Sequence, residues 1–245
     1  MLRVHQYSPT GAFDEEVYDT ARIIGTIFPE AKEKADAWIK EVQDTIKDIE
    51  SKVQKTEEKK TVYYVNGEKA KGLYYSDGGN SMISRIYDVC NVALATEKYE
   101  VLNVHKVSDE EMINLNPYAM MIGGTYQNNL AESLSNSPIW SSLECNTHNR
   151  IYRIPVCMVG IENVCAETSL MLKYTASLFS DYEFDVKTEM RSCCKCLNIL
   201  LQVTLQRSCT IYWIITMLNN ILLCILCQRN RQLTIFKTII DICYH

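Results

Sequence analysis

The sequence predicts an α/β fold: a small parallel-sheet lobe with helices on both faces, attached to a long helix. Three observations carry this. The segment from Pro29 to Lys55 has no internal glycine or proline, and places Ala31, Ala35, Trp38, Val42, Ile46, Ile49 and Val53 at helical spacings of three and four. Beyond Lys60 the pattern changes to short β-branched or aromatic runs that alternate with amphipathic helices, the grammar of a parallel sheet covered on both sides. Glycine-rich loops follow the apolar runs, where a strand hands over to a helix.

In chain order, Phe13 to Ile27 is a short amphipathic helix with Val17, Ala21 and Ile24 on one face. Gly25 and Pro29 separate it from the long helix. Proline suits the first turn of that helix. At about 1.5 Å per residue its length approaches 40 Å, more than a small lobe is wide. Its stripe keeps no sustained heptad and its knobs are Ala and Trp, which favours a packed spine over a coiled-coil arm. Glu57 to Lys60 is a solvated charge run that ends it. Thr61 to Val65 is a buried strand, Gly72 to Asn80 a loop, Ser81 to Val92 a helix, and Glu100 to Val104 a short strand. Ser108 with Glu111 forms a capping box for a helix closed by Pro117. Ala119 to Ile122 is a second buried strand, ended by Gly123-Gly124-Thr125. Asn128 to Asn136 is helical, Pro138 to Leu143 is one turn around Trp140, Arg150 to Ile154 is a third strand, and Glu162 to Tyr182 is a long helix. The expected organisation is therefore residues 1–28, a spine at 29–59, a lobe at 60–191 and a distinct tail at 192–245.

Charge and composition exclude several functions. The chain has 245 residues and a net charge of −5, with no arginine-rich run, so a nucleic-acid partner is not expected. The average hides a break. All nine glycines and all five prolines precede Ser192, whereas seven of the 11 cysteines follow it. The first 191 residues carry a net charge of −9 and the remainder +4. Cys90, Cys145, Cys157 and Cys165 are widely spaced and read as buried free thiols. His5, His105, His148 and His245 lack ligand spacing, so neither a metal site nor a cofactor is expected. No nucleophile elbow, Walker loop or dinucleotide fingerprint occurs. Cys193-Cys194-x-Cys196 and Cys224-x-x-Cys227 lie in the tail. Thr210 to Cys227 is an apolar run near the minimum for a membrane span, with Asn219-Asn220 costly at its centre. A membrane anchor, a buried helix and a frameshifted translation all remain open for this tail. The start, MLRVHQYSPTGAF, has no apolar core of a signal peptide.

The order of motifs is more specific than any one of them. "GLYYSDGGN", "VSDEEMINLNPYAMMIGG" and "PIWSSLECNTHNRIYRIP", following a long helix and preceding a final one, resemble the C-terminal lobe of ABC-importer solute-binding proteins for iron-siderophores, haem and cobalamin. The resemblance covers roughly Phe13 to Arg191. It implies a non-enzymatic chain, monomeric and extracytoplasmic, whose long helix runs between two lobes. The family's N-terminal lobe is represented here only by its last helix. The family's glycine pair before "NVA" is Val89-Cys90 in this chain, and the tail after Arg191 has no counterpart.

The resemblance also implies roles. Loops at the carboxyl ends of the three strands would form one wall of a ligand cleft. Their candidate contacts are Tyr74, Tyr75, Ser76, Asp77, Gly124, Thr125, Tyr126, Gly160 and Glu162. Tyrosine faces suit an organic chelate or tetrapyrrole, and hydroxyls and backbone N–H groups suit its oxygens. On their own these residues would equally suit a packed surface and tight turns. Glu110, in the first turn of a capped helix, matches the glutamate through which the family meets its ABC permease. The ligand would be a ferric siderophore, haem or a corrinoid. Two other classes stay open: a chelatase-like enzyme inserting metal into a tetrapyrrole, for which His148 is the candidate base, and a membrane-anchored interaction module.

Overall fold

The computed structural model describes residues 13–67, 72–79, 81–99, 104–124, 127–134, 136–156, 160–162 and 167–189. The chain divides into two compact units, Met1–Pro155 with Gly160–Phe184, and Val156–Val159 with Asp185–His245. In the second unit, Asp185 caps a single turn through bonds from the Lys187 and Thr188 amides and the Thr188 hydroxyl. The tail expected at 192–245 lies outside the described residues, and so does any strand over 100–103. The sheet and the helices packed on it belong to the first unit.

Helix α1 (Phe13–Ile27) doubles back on the long helix α2 (Lys32–Lys52) through a single 3₁₀ turn at Pro29–Ala31. Gly25 permits the approach. A side chain there would meet Lys32 Cα at 3.0 Å and Ala35 Cβ at 3.5 Å. Buried Tyr18 meets Trp38 edge to face, 6.5 Å between centroids. The 3₁₀ turn and the start of α2, half-buried at Ala31, Ala35 and Trp38, are thus partly covered by α1. The buried stripe is rotated from the expected one. Ile39, Val42, Thr45, Ile49 and the cap Val53 are buried, whereas Ile46 is only half-buried. Lys32–Asp36, Lys40–Asp44 and Lys52–Asp48 pair on the exposed side. Solvent screens such exposed pairs, so they add little to stability.

Four parallel strands form the sheet: β1 (Lys60–Val65), β3 (Val92–Leu94), β5 (Ala119–Ile122) and β6 (Ile151–Arg153), in the order β3-β1-β5-β6. The registers Val65 with Ile122 and Ile122 with Arg153 align the carboxyl ends of β1, β5 and β6, and β3 ends earlier, with Leu94 opposite Val62. A two-residue antiparallel pair, β2 (Tyr75–Ser76) with β4 (His105–Lys106), flanks the loops. All four residues of β5 are buried, as a parallel strand with two covered faces requires.

Alternation along the strands divides the core. Tyr63, Val65, Met120 and Ile122 pack with Met112 of α4 (Asp109–Leu115), Leu130 and Leu134 of α5 (Gln127–Leu134), Trp140 of α6 (Pro138–Ser142) and Cys145 of α7 (Glu144–Thr147). The opposite face belongs to α2, α3 (Met82–Val89) and α8 (Thr168–Phe179), which pack on one another. The expected helix over Glu162–Tyr182 is shorter than its pattern suggested. The strand β3 was not expected: it begins at Val92, the last residue of the expected helix Ser81–Val92. Asn91, at a left-handed φ of 56°, stops α3 and releases Val92 into the sheet.

Candidate functional site

Strand order locates the site. From β1 the chain passes to β3 on one side, then returns to β5 on the other. The switch point of this open sheet therefore lies beyond the carboxyl ends of β1 and β5, where such sheets bind ligands. Two glycine turns meet there. Gly67 follows β1 and packs on Gly123-Gly124 after β5 so closely that a Cβ on Gly67 would lie 1.6 Å from the Gly123 carbonyl oxygen. Gly124 has φ +72°, a left-handed conformation that glycine adopts at no steric cost. Gln127 Nε2 donates to the Gly124 and Ile154 carbonyls at 3.0 and 3.2 Å, tying the ends of β5 and β6 together.

Under this pinch lies a buried carboxyl group. Glu162 is 7% exposed and its Oε1 accepts the Gly124 N–H at 2.7 Å. Burial, more than any neighbour, pushes its pKa up, and the Asp77 charge adds to the rise. Asp77 is itself 8% exposed, in the loop after β2. Ser76 is fully buried, its hydroxyl paired with Thr96 at 3.0 Å, and Thr96 donates to the Asp77 carbonyl at 2.6 Å. Tyr87, fully buried on α3, has its hydroxyl ionisation suppressed chiefly by burial, then by Asp77.

The structure thus brings Ser76, Asp77, Gly124, Gly160 and Glu162 together beneath the carboxyl edge. Tyr75 is half-buried on β2. Tyr74 stands edge-on against Trp140, 5.3 Å between centroids, and packs on the core below the edge. Thr125 and Tyr126 lie outside the described residues. Sequence reasoning missed Gly67, Thr96 and Tyr87. For Gly67, the Asn-Gly pair directly after a strand was the available signal. Thr96 and Tyr87 carried none.

Glu110 is exposed in the first turn of α4, as its place after the cap implies. The capping box is complete: Ser108 Oγ accepts the Glu111 N–H at 3.2 Å and Glu111 Oε2 accepts the Ser108 N–H at 2.8 Å. Tyr99 OH donates to Glu111 Oε1 at 2.7 Å, and His105 stacks on the Tyr99 ring. The Ser108 backbone N–H first, then the Tyr99 hydroxyl, hold the Glu111 carboxyl down at about 2. Glu111 is thereby committed to the turn, and Glu110 beside it projects into solvent.

His148 is exposed at the end of α7, where its Nδ1 lies 3.0 Å from the Glu144 carbonyl. It precedes β6 and so sits at the amino edge of the parallel sheet, opposite the switch point. This removes it as a cleft base for metal insertion. Among the described residues no three His, Cys, Asp or Glu side chains cluster to hold a metal, and no helix is long and apolar enough to cross a membrane. The apolar run Thr210–Cys227 lies outside them. Cys90 and Cys145 are buried free thiols, as expected.

Solved structures share this fold. A periplasmic solute-binding protein from Veillonella parvula DSM 2008 superposes with a TM-score of 0.57 at 18% identity, covering 73% of this chain and 55% of its own. An ABC-type Fe3+-hydroxamate transport system from Saccharomonospora viridis DSM 43017 gives 0.56 at 15%, covering 69% and 56%. The molybdate periplasmic binding protein of Haemophilus influenzae gives 0.57 at 14%, covering 69% and 50%. The chain therefore spans little more than half the length of these proteins. No curated protein sequence matches it. The family model for periplasmic binding proteins matches residues 3–156, through both α1–α2 and the glycine turns of the switch point, and the chain belongs to the periplasmic binding protein family.

Proposed function

We propose that this chain is the C-terminal lobe of an extracytoplasmic, non-enzymatic solute-binding component of an ABC importer, and that its ligand is a metal chelate of the ferric siderophore, haem or corrinoid class. The observation that carries this reading is the glycine pinch of Gly67 with Gly123-Gly124 at the switch point, flanked by Tyr75 and by Asp77 after β2. Backbone N–H groups and tyrosine edges at such a position suit the oxygens and faces of a chelate. The likeness to an Fe3+-hydroxamate system supports the ligand class. α2 is then the spine between lobes, and Glu110 contacts the permease as an exposed rim charge acting on recognition and on-rate more than on raw affinity.

A single wall encloses a solute poorly, so the chain alone binds weakly. The full chain, titrated with ferrioxamine B and separately with haemin, reports occupancy through quenching of tryptophan fluorescence. Saturable quenching with a dissociation constant weaker than about 1 μM is expected. A sub-micromolar constant overturns the one-wall reading. No saturable quenching by either chelate overturns the ligand class.

A further inference from the structure

Glu162 is surrounded by glycine. A Cβ on Gly123 would stand 3.0 Å from its Oε1, and a Cβ on Gly160 would stand 2.2 Å from Oε2. The ring of Tyr64, from β1, touches the same Gly123 position at 3.0 Å. Oε1 accepts the Gly124 N–H, whereas Oε2 is buried with no hydrogen-bond partner among the described residues. Among the described residues, Asp77 from the loop after β2, Tyr87 from α3 and the Tyr64 hydroxyl, also 3.0 Å from the Gly123 position, are the titratable groups around it. So enclosed a carboxyl group offers a solute almost no surface. Its one strong bond instead reaches the turn that packs on Gly67.

We infer that Glu162 is a positioning residue: its carboxyl group holds the Gly124 amide, and with it the Gly67–Gly123 pinch at the floor of the cleft, and acts on a bound solute only through that turn. The glycines at 123 and 160 are the space this carboxyl group needs. The bond needs an acceptor rather than a charge, so glutamine, neutral and of the same shape, replaces it. The raised pKa of the carboxyl group agrees with a site that favours the uncharged form.

The test is amide hydrogen exchange at Gly124 in the 15N-labelled full chain, in which the native pattern of the other amides reports folding. Glu162→Gln keeps the protection of wild type. Glu162→Ala removes the acceptor, and Gly124 exchanges at least about tenfold faster. Gly160→Ala pushes the carboxyl group aside and has the same effect. Gly160→Ala combined with Glu162→Ala is no faster than Glu162→Ala alone, because the group it would displace is gone. Unchanged protection in Glu162→Ala, or additive acceleration in the double variant, overturns the inference. Where Glu162→Ala does not fold, Glu162→Gln against Gly160→Ala decides in the same way.

A second arm rests on the solute-cleft reading. Ferrioxamine B binds wild type and Glu162→Gln alike, and Glu162→Ala about fivefold more weakly. If ferrioxamine B binds no variant and not the wild type, the ligand reading fails while the exchange result still decides the role of Glu162. If it binds wild type and Glu162→Ala equally, the turn does not transmit the effect and the inference fails.

Discussion

Replacing Gly67 by alanine tests the switch-point geometry through a backbone contact. The added methyl would lie 1.6 Å from the Gly123 carbonyl oxygen and 2.4 Å from its carbon, with Gly124 Cα at 2.8 Å. None of these is a flexible side-chain tip, so relief requires the ends of β1 and β5 to separate. Overpacking of this kind costs about 1–3 kcal/mol. Two backbone segments are displaced here, which places Gly67→Ala at the upper end. An internal control exists at Gly72. There φ is +60° and no atom of the described residues lies within 4 Å of an added methyl, so Gly72→Ala is charged only for the left-handed backbone, about 1–2 kcal/mol. At about 2–4 °C per kcal/mol for a chain of this size, Gly67→Ala should lower Tm by about 6–12 °C and Gly72→Ala by about 2–8 °C. Thermal unfolding followed by circular dichroism at 222 nm measures both. A Gly67→Ala loss equal to or smaller than that of Gly72→Ala refutes the close approach of the two turns.

Trp140 is 1% exposed and touches Tyr63 and Tyr74, so Trp140→Ala should cost about 3–5 kcal/mol in urea unfolding. Ser108→Ala removes the cap of α4 and should cost about 1 kcal/mol, with the Glu111 carboxyl group released toward ordinary titration by NMR. Glu111 is held at about 2 in the folded chain, below its unfolded value, so its stabilisation is present above the unfolded pKa and lost as pH falls toward 2. Glu111→Gln should flatten the acid limb of stability between pH 5 and pH 2, measured by urea midpoints. Cys90 and Cys145 are buried, with the Cys145 thiol pushed up to about 11, so neither should react with a thiol-disulfide reagent in the native state. Peptide mapping of the labelled chain checks each site.

The legible parts were those where one local signal had one outcome. β5 could be placed to the residue, because AMMI is uniformly apolar and sits between a proline turn and a glycine pair. The α4 cap was legible because Ser108 and Glu111 need only each other. α2 was legible as a helix but not in its rotation. Thr45 is buried where the pattern offered Ile46, since contact with α8 and not apolarity alone chooses the face. Short elements failed. β3 has three residues and β2 two, too few for a period to emerge, and their partners β1 and β4 are distant in sequence. At the site, glycines and loops announced a turn-rich edge. That Glu162 lies under this edge, and Tyr74 against the core, depends on how β5 and β6 are tied by Gln127, which no local pattern records.

Two glutamates show how burial divides acid chemistry in this unit. Glu111 is accessible and accepts bonds from Ser108 and Tyr99, so its charged form is favoured and stabilises the folded chain at neutral pH. Glu162 is enclosed and lies near Asp77, and burial outweighs the bond it accepts from the Gly124 N–H, so its uncharged form is favoured. A folded-state pKa raised above the unfolded value gives stability that is complete below the unfolded pKa and is lost as pH rises through the folded pKa. Glu162 therefore weakens the fold on the alkaline side of about pH 4, over the window up to its raised value, while Asp77 and Tyr87 stay close to it. Glu162→Gln, which keeps the acceptor and discards the proton, should remove that decline, so that its urea midpoint exceeds wild type at pH 8 and matches it at pH 4. A wild-type advantage at pH 8 would mean that the charge on Glu162 stabilises the glycine turn, contrary to its enclosure.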